Sequence, residues 1–161
     1  MTNIRIGFGF DVHQLVDNIP FFLGGIEIKH SKGAKGHSDA DVLLHAICDA
    51  VLGAANLRDI GYHFPDTDET YKGIDSKILL NKVMTLLKEK GFQFVNLDAT
   101  ICLQLPKINP FIPQMQQTIA ELMDADTEQI SIKATTTEKL SFVGREEGIS
   151  AYATVLIEKV V

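Results

Sequence analysis

The stretch Ile4-Arg5-Ile6-Gly7-Phe8-Gly9-Phe10-Asp11-Val12-His13 decides the fold. Ile4, Ile6, Phe8 and Phe10 alternate with Arg5, Gly7, Gly9 and Asp11, and a period of two is the mark of a strand. A second alternation closes the chain. Ile149, Ala151, Ala153, Val155 and Ile157 share one face of a strand over residues 149–160. Strands of this kind belong to a sheet, and the helices between them would cover it.

The intervening sequence supplies those helices. Ser38 has an N-cap side chain and Asp41 follows three positions on, a variant of the capping box. Val42, Leu43, Ala46, Ile47, Ala50, Val51 and Ala54 then form a wide apolar stripe, predicting a helix that ends near Asn56. Asp75 to Lys90 is a second helix, with Ile78, Leu79, Val83, Leu86 and Leu87 inward and Gly91 as its stop. Residues 114–123 form a third. Phe21 to Leu23 and Ile26 to Ile28 flank Gly24-Gly25, which reads as a glycine bulge or a tight hairpin. Residues 92–105 and 130–134 are further strands, and 31–36, 106–113 and 135–148 are loops. This order predicts an α+β or α/β chain, and of the two an α+β fold is expected: a single domain over 1–161, with a mixed sheet covered by helices on one face.

Composition narrows the function. The 161 residues are 45% hydrophobic and 22% charged, with a formal net charge of −6. A chain of this size buries roughly 70% of its unfolded surface and needs no staples. The acidic balance and scattered lysines disfavour nucleic acid and membrane surfaces. Cys48 and Cys102 lie in apolar segments, form no CxxC, and fit a reducing cytoplasmic setting. Residues 1–10 lack the apolar run of a signal peptide.

Asp11 and His13 stand two apart on a strand, so their side chains project to one face. A metal would need a third ligand, and His45 on the capped helix is the best candidate. Asp41, His45, Cys48, Asp49 and Leu52 share one side of that helix, which turns His45 away from the centre of the stripe. Asp49, one turn on, is placed to hold the second ring nitrogen of His45 or a ligand nearby. Two imidazoles and a carboxylate with an open position suit catalytic zinc, and also iron or manganese. Taken alone, the same residues also read as a surface pair and a locally satisfied histidine.

Three loops carry further polar groups. Gly36, His37 and Ser38 enter the helix and either cap it or hold phosphate at its N-terminus. Asp59 to Asp68 is either a solvated turn or a substrate flap. Lys133 to Lys139 is either plain strand or a phosphate-lining run, with Glu138 able to hold Mg²⁺. Arg145 is a phosphate fork or a surface ion-pair partner.

Together, Gly9-Phe10-Asp11-Val12-His13, His37-Ser38-Asp39, Asp59-Ile60-Gly61 with Phe64-Pro65-Asp66-Thr67-Asp68, Pro106-Lys107, and residues 133–140 with Gly144-Arg145 closely resemble the 2-C-methyl-D-erythritol 2,4-cyclodiphosphate synthase family. The resemblance runs in order through nearly the whole chain. It implies a homotrimeric, zinc- and magnesium-dependent lyase of the non-mevalonate isoprenoid pathway, with active sites between subunits. Asp11, His13 and His45 match the zinc ligands. Glu138 matches the magnesium ligand, with Mg²⁺ or Mn²⁺ riding on the substrate diphosphate. His37 and Thr136 match the transition-state-stabilising positions, and His37 and Ser38 also match residues at the phosphate and erythritol moiety. Asp59, Ile60, Gly61, Phe64, Pro65, Asp66, Thr67 and Asp68 match the flap. Leu103, Gln104, Leu105, Pro106, Lys107, Ile108 and Asn109 match the cytidine pocket of the neighbouring subunit, as do Ala134, Thr135 and Thr136. Thr137, Phe142 and Arg145 complete the expected contacts.

Three positions depart from the family pattern. Ala40 replaces a common glycine, a small change outside the ligand set. Leu105 replaces a smaller residue beside the cytidine. Tyr152 stands where some relatives carry an acid facing a central cavity. Two other functions fit the same residues: a zinc phosphohydrolase with water as nucleophile, and a trimeric module that binds nucleotides or isoprenoid diphosphates without turnover.

Overall fold

The computed structural model describes residues 3–160, so Met1, Thr2 and Val161 of the stretches read above lie outside the described residues. Its spine is β1 (Ile4–Asp17), which pairs antiparallel with β7 (Gly148–Lys159) over almost its whole length. The register sets Phe10 against Tyr152 and Asp11 against Ala151. β4 (Lys32–Lys35) adds to the far end of β1, and β5 (Phe92–Cys102) to the other side of β7. β6 (Ile130–Thr135) lies parallel to β5, so the five-stranded sheet is mixed, in the order β4-β1-β7-β5-β6. β2 (Phe22–Leu23) and β3 (Ile26–Glu27) form a separate hairpin, the tight-turn alternative for the Gly24-Gly25 segment.

The alternation of β1 is set out in an unexpected sense. Gly7 and Gly9 face the core, while Ile6 and Phe8 are 69% and 64% exposed. The cause is α1 (Val42–Ala54), which lies directly on the strand. A Cβ on Gly7 would stand 1.9 Å from the carbonyl oxygen of Ala50, and one on Gly9 1.9 Å from that of Ala46. Only glycine permits this approach. The opposite face of the sheet is left showing Ile4, Ile6, Phe8, Phe10, Val12 and Tyr152.

Most of α1 is buried, including Leu44, Cys48 and Leu52, while His45 and Asp49 are half-buried and Gly53 is exposed, one row spaced four apart along the helix. The side expected to turn His45 away from the apolar stripe is thus present but narrower than its spacing implies, since Cys48 and Leu52 are fully buried. α3 (Ser76–Glu89) packs against α1. Ile78 of α3 is exposed rather than inward, and Leu80 and Met84 take the core positions. α4 (Ile112–Met123) packs on β6 and α3. Short helices α2 (Ile60–His63) and α5 (Ser141–Gly144) interrupt two of the loops.

Several boundaries differ from the sequence reading: β1 runs on to Asp17, β5 stops at Cys102 and α4 begins at Ile112. The N-cap of α1 is Asp41, whose carboxylate accepts from the amides of Leu44, Gly24 and Gly25; Ser38 lies outside the helix. Residues 31–36 are not loop throughout, because Lys32–Lys35 pair with the end of β1. Among the described residues, no helix is long and apolar enough to cross a membrane.

Candidate active site

The glycines of β1 fix the geometry of the site. With Gly9 under Ala46, the next turn of α1 towards its N-terminus lies over Asp11 and His13, and that turn carries His45. The Asp11 carboxylate Oδ2 lies 2.9 Å from His13 Nε2 and 3.0 Å from His45 Nδ1. The two ring nitrogens are 3.2 Å apart. Ligand atoms at about 2.0–2.1 Å from a tetrahedral zinc are separated by about 3.3 Å, close to these values.

The outer nitrogens decide what the inner ones present. His13 Nδ1 faces the carbonyl of Lys35 at 3.1 Å and can only donate there. Its proton is thus on Nδ1, and Nε2 offers a lone pair. His45 Nε2 reaches the hydroxyls of Ser38 at 3.1 Å and Ser76 at 2.9 Å. When Nε2 donates, Nδ1 is also a lone pair. Two imidazole lone pairs and a carboxylate then converge on one point, and a cation is what they fit. Among the described residues, these three form the group of metal-ligating side chains.

Charge follows the same geometry. Without a cation, an inner ring nitrogen that carries a proton donates to Asp11 instead: burial pushes the Asp11 carboxyl up, but such hydrogen bonds and charge from His13 and His45 outweigh it and hold it at about 2. Burial disfavours the His13 imidazolium, yet its hydrogen bond to Asp11 and the Asp11 charge raise its pKa above the ordinary value.

Asp49 does not reach the His45 ring as expected. Its Oδ1 accepts from the amide of Ile60 at 2.7 Å and so anchors the start of α2. The positions beside His45 Nε2 are filled instead by Ser38 and Ser76, and Ser76 in turn donates to Asp39. Nothing in the sequence marks Ser76, and Asp39 enters only through the His37-Ser38-Asp39 run.

A cavity of about 400 Å³ opens beside the three ligands. His37 and Ser38 line it on one side, and Ile60, Gly61, Phe64 and Asp66 line it on the other. Part of the segment from Asp59 to Asp68 is therefore a wall of the cavity. Tyr71, Ile74 and Leu79 also line it and were not singled out in the sequence. Lys82 of α3 holds its ammonium 5.3 Å from the Tyr71 ring centre and 5.9 Å from that of Phe64, pinning the wall. The Nε2 of His37 is buried and has no hydrogen-bond partner.

A second cavity, about 230 Å³, is separate. Leu103, Pro106, Lys107, Ile108 and Asn109 line it from one loop, and Ala134, Thr135 and Thr136 from the end of β6. It shares no lining residue with the first. Gln104, Leu105, Thr137, Glu138, Phe142 and Arg145 line neither, nor do Asp59, Pro65, Thr67 and Asp68. Glu138 is exposed, with its amide 3.4 Å from the Thr136 hydroxyl. Arg145 makes a two-pronged pair with Glu147, at 3.0 and 2.9 Å, the surface-pair alternative for that residue. Lys133 is paired with Asp98 on β5 and does not line the second cavity.

Ala40 is more than a neutral departure. It is fully buried with φ +57°, the left-handed region in which glycine is unstrained. Cys48 is buried and its thiol is pushed well up by burial, as expected of an inert core cysteine.

An α+β fold that lays a glycine-rich strand under a largely buried helix, and gathers Asp11, His13 and His45 beside a cavity, defines a class of protein with a candidate metal site. Within it, the chain belongs to the YgbB family, whose model matches residues 4–158. It is 68% identical over 156 residues to the 2-C-methyl-D-erythritol 2,4-cyclodiphosphate synthase of Bacteroides thetaiotaomicron, covering 97% of this chain and 98% of that one. It is 63% identical over 153 residues to the synthase of Porphyromonas gingivalis strain W83, covering 95% and 94%. Among solved structures, the CDP complex of IspF from Plasmodium falciparum superposes with a TM-score of 0.88 at 31% identity, covering 100% of this chain and 99% of that one. The bifunctional IspDF of Campylobacter jejuni gives a TM-score of 0.95 at 43% identity; 99% of this chain matches, and it spans 43% of that longer protein.

Proposed function

We propose that this chain catalyses the reaction for which its relatives are named: cyclisation of 4-diphosphocytidyl-2-C-methyl-D-erythritol 2-phosphate to 2-C-methyl-D-erythritol 2,4-cyclodiphosphate, with release of CMP. The activity is that of a lyase in non-mevalonate isoprenoid synthesis. The observation that carries it is the convergence of Asp11, His13 and His45 beside the cavity walled by His37, Ser38 and the α2 segment.

In this reaction an oxygen of the substrate's 2-phosphate attacks the β-phosphorus, the bond from that phosphorus to the bridging oxygen breaks, and CMP leaves with that oxygen. A phosphate monoester with a second pKa near 6 is largely ionised at neutral pH, so no general base is needed. The barrier is the approach of one anion to another, and catalysis is positioning and charge. A divalent ion on Asp11, His13 and His45, with zinc the best chemical match, supplies positive charge for the phosphate oxygens.

The chain's own groups do the rest. The free Nε2 of His37 and the hydroxyl of Ser38 meet phosphate oxygens. Ile60, Gly61, Phe64 and Asp66 close over the sugar alcohol and exclude water. Lys107 and the Thr135–Thr136 segment receive the cytidine and its departing phosphate, and Thr136 stabilises charge on the leaving side. Glu138 holds the Mg²⁺ or Mn²⁺ that accompanies the diphosphate. Asp59, Pro65, Thr67, Asp68, Gln104, Leu105, Thr137 and Phe142 take secondary places around the substrate; Arg145, paired with Glu147, would have to leave that partner to join them.

The complete site lies between two copies of the chain in a homotrimer. Two features support this. The cavities that would take the two ends of one substrate share no residue within a single chain. The exposed row Ile6, Phe8, Phe10 and Tyr152 is an apolar face of the kind that is covered in an assembly.

The test is phosphorus NMR of the reaction mixture with zinc and magnesium, beside sedimentation of the protein. A cyclic diphosphate plus CMP, from a three-copy particle, is expected. Free phosphate instead of the cyclic product would mark a phosphohydrolase, and tight CDP binding without CMP release a binding module.

A further inference from the structure

The His45 ring is held by a chain of hydrogen bonds that ends on a second carboxylate. Ser76, the first residue of α3, is fully buried. Its hydroxyl donates to Asp39 Oδ1, and its amide donates to Asp39 Oδ2 at 2.9 Å. A hydroxyl has one proton. With that proton given to Asp39, Ser76 Oγ faces His45 Nε2 at 2.9 Å as an acceptor only. The hydroxyl of Ser38, 3.1 Å from the same nitrogen, itself accepts from the amide of Ala40 at 3.1 Å.

We infer that Asp39 and Ser76 are positioning residues for the metal centre: they pin the proton of His45 on Nε2, so that Nδ1 is the nitrogen offered to the cation. The inference rests on the metal reading of Asp11, His13 and His45 and adds two residues that touch neither metal nor substrate. A carboxylate acting through a hydroxyl does for His45 what the Lys35 carbonyl does directly for His13.

The same bonds tie the ligand to the cavity wall. The Asp39 amide donates to the carbonyl of Ile74 at 3.1 Å, and the Gly73 amide donates to the carbonyl of His37 at 2.7 Å. The His37–Asp39 loop and the segment that ends the cavity wall are thus stitched together at the residue that orients His45. Placement of the wall and orientation of the ligand are set by one junction.

The test uses full-length protein stripped of metal, with zinc affinity read by competition with a chromogenic chelator and no substrate present. Ser76→Ala removes the acceptor, and Asp39→Asn weakens the group that directs it. Partners of this kind typically contribute 10- to 100-fold to metal affinity. We expect a loss in that range for Ser76→Ala and a smaller, measurable loss for Asp39→Asn. The visible bands of the cobalt-loaded variants should also shift, a signature that a purely structural role would leave unmoved. Parental affinity and parental cobalt bands in both variants would overturn the inference. Should Ser76→Ala not fold, Asp39→Asn decides it alone, since both Asp39 oxygens accept from Ser76 and an amide must set its NH2 against one of those donors. A parental protein that binds no divalent ion would instead sink the metal reading itself, and this inference with it.

Discussion

Gly9 lies so close beneath the carbonyl of Ala46 that a methyl group on it would stand 1.9 Å from that oxygen. The contact sets the height of α1 above β1, and with it the distance from His45 to Asp11. Gly9→Ala ordinarily gains about 0.4–1 kcal/mol by restricting the unfolded chain. Here the clash is with backbone and decides the sign. Overpacking of this kind costs about 1–3 kcal/mol, and more where helix and strand cannot part. The variant should melt well below the parent and hold less zinc. An unchanged melting temperature would show that α1 can lift freely.

His45→Ala should abolish zinc binding and nearly all turnover while the fold persists. The helix that bears it is anchored by the buried apolar residues on its other sides, and Asp11 and His13 alone leave a two-ligand site. Metal analysis and circular dichroism check both halves. Activity surviving in verified zinc-free variant protein would count heavily against the assignment.

Zinc affinity should fall as pH drops. A bound imidazole must be unprotonated, and the pKa of His13 is raised in the metal-free site, so protons compete from somewhat above pH 6.5 downwards. Asp11, held at about 2, stays ionised throughout and adds nothing until strongly acid conditions. Chelator competition between about pH 8 and 5.5 should give a steepening loss, and a flat profile would contradict it.

Thr136→Ala should lower kcat/KM more than Lys133→Ala. Thr136 lines the second cavity, whereas Lys133 is engaged by Asp98 on the neighbouring strand. An exposed pair of that kind contributes about 0–1 kcal/mol to stability. Steady-state kinetics of the two variants decide the order, and equal losses would show the loop to be misassigned.

Ala40→Gly should leave stability within about 1 kcal/mol of the parent. Relief of the left-handed alanine returns about 1–2 kcal/mol. Loss of a buried methyl costs about 0.8 kcal/mol, and the freer unfolded chain about 0.4–1 kcal/mol. Chemical denaturation measures the remainder, and a large change of either sign would show that one of these effects is misjudged.

The long strands and main helices were legible because their periods are clean. β4 was not: Lys32-Gly33-Ala34-Lys35 has neither alternation nor β-branched residues, and it is a strand only because the end of β1 pairs with it. Ser38 and Asp41 are both capping residue types, and no local rule chooses between them. Asp41 wins through the amides of Gly24 and Gly25, 16 or 17 positions away. The three metal-ligating side chains were visible because their chemistry is rare. Their supports, Ser76 and Asp39, are common residues whose meaning comes only from contacts across 31 and 37 positions. Asp49 was misplaced because helical spacing gives direction but not what folds over the residue.

The helix carrying His45 is also the middle of the protein's interior, wrapped by sheet on one side and α3 on the other. Robustness and reactivity are therefore not separately adjustable in this architecture. A substitution that loosens the interior by a few tenths of an ångström displaces a ligand by the same amount, so a weakened variant should shed its ion while its overall shape is still intact.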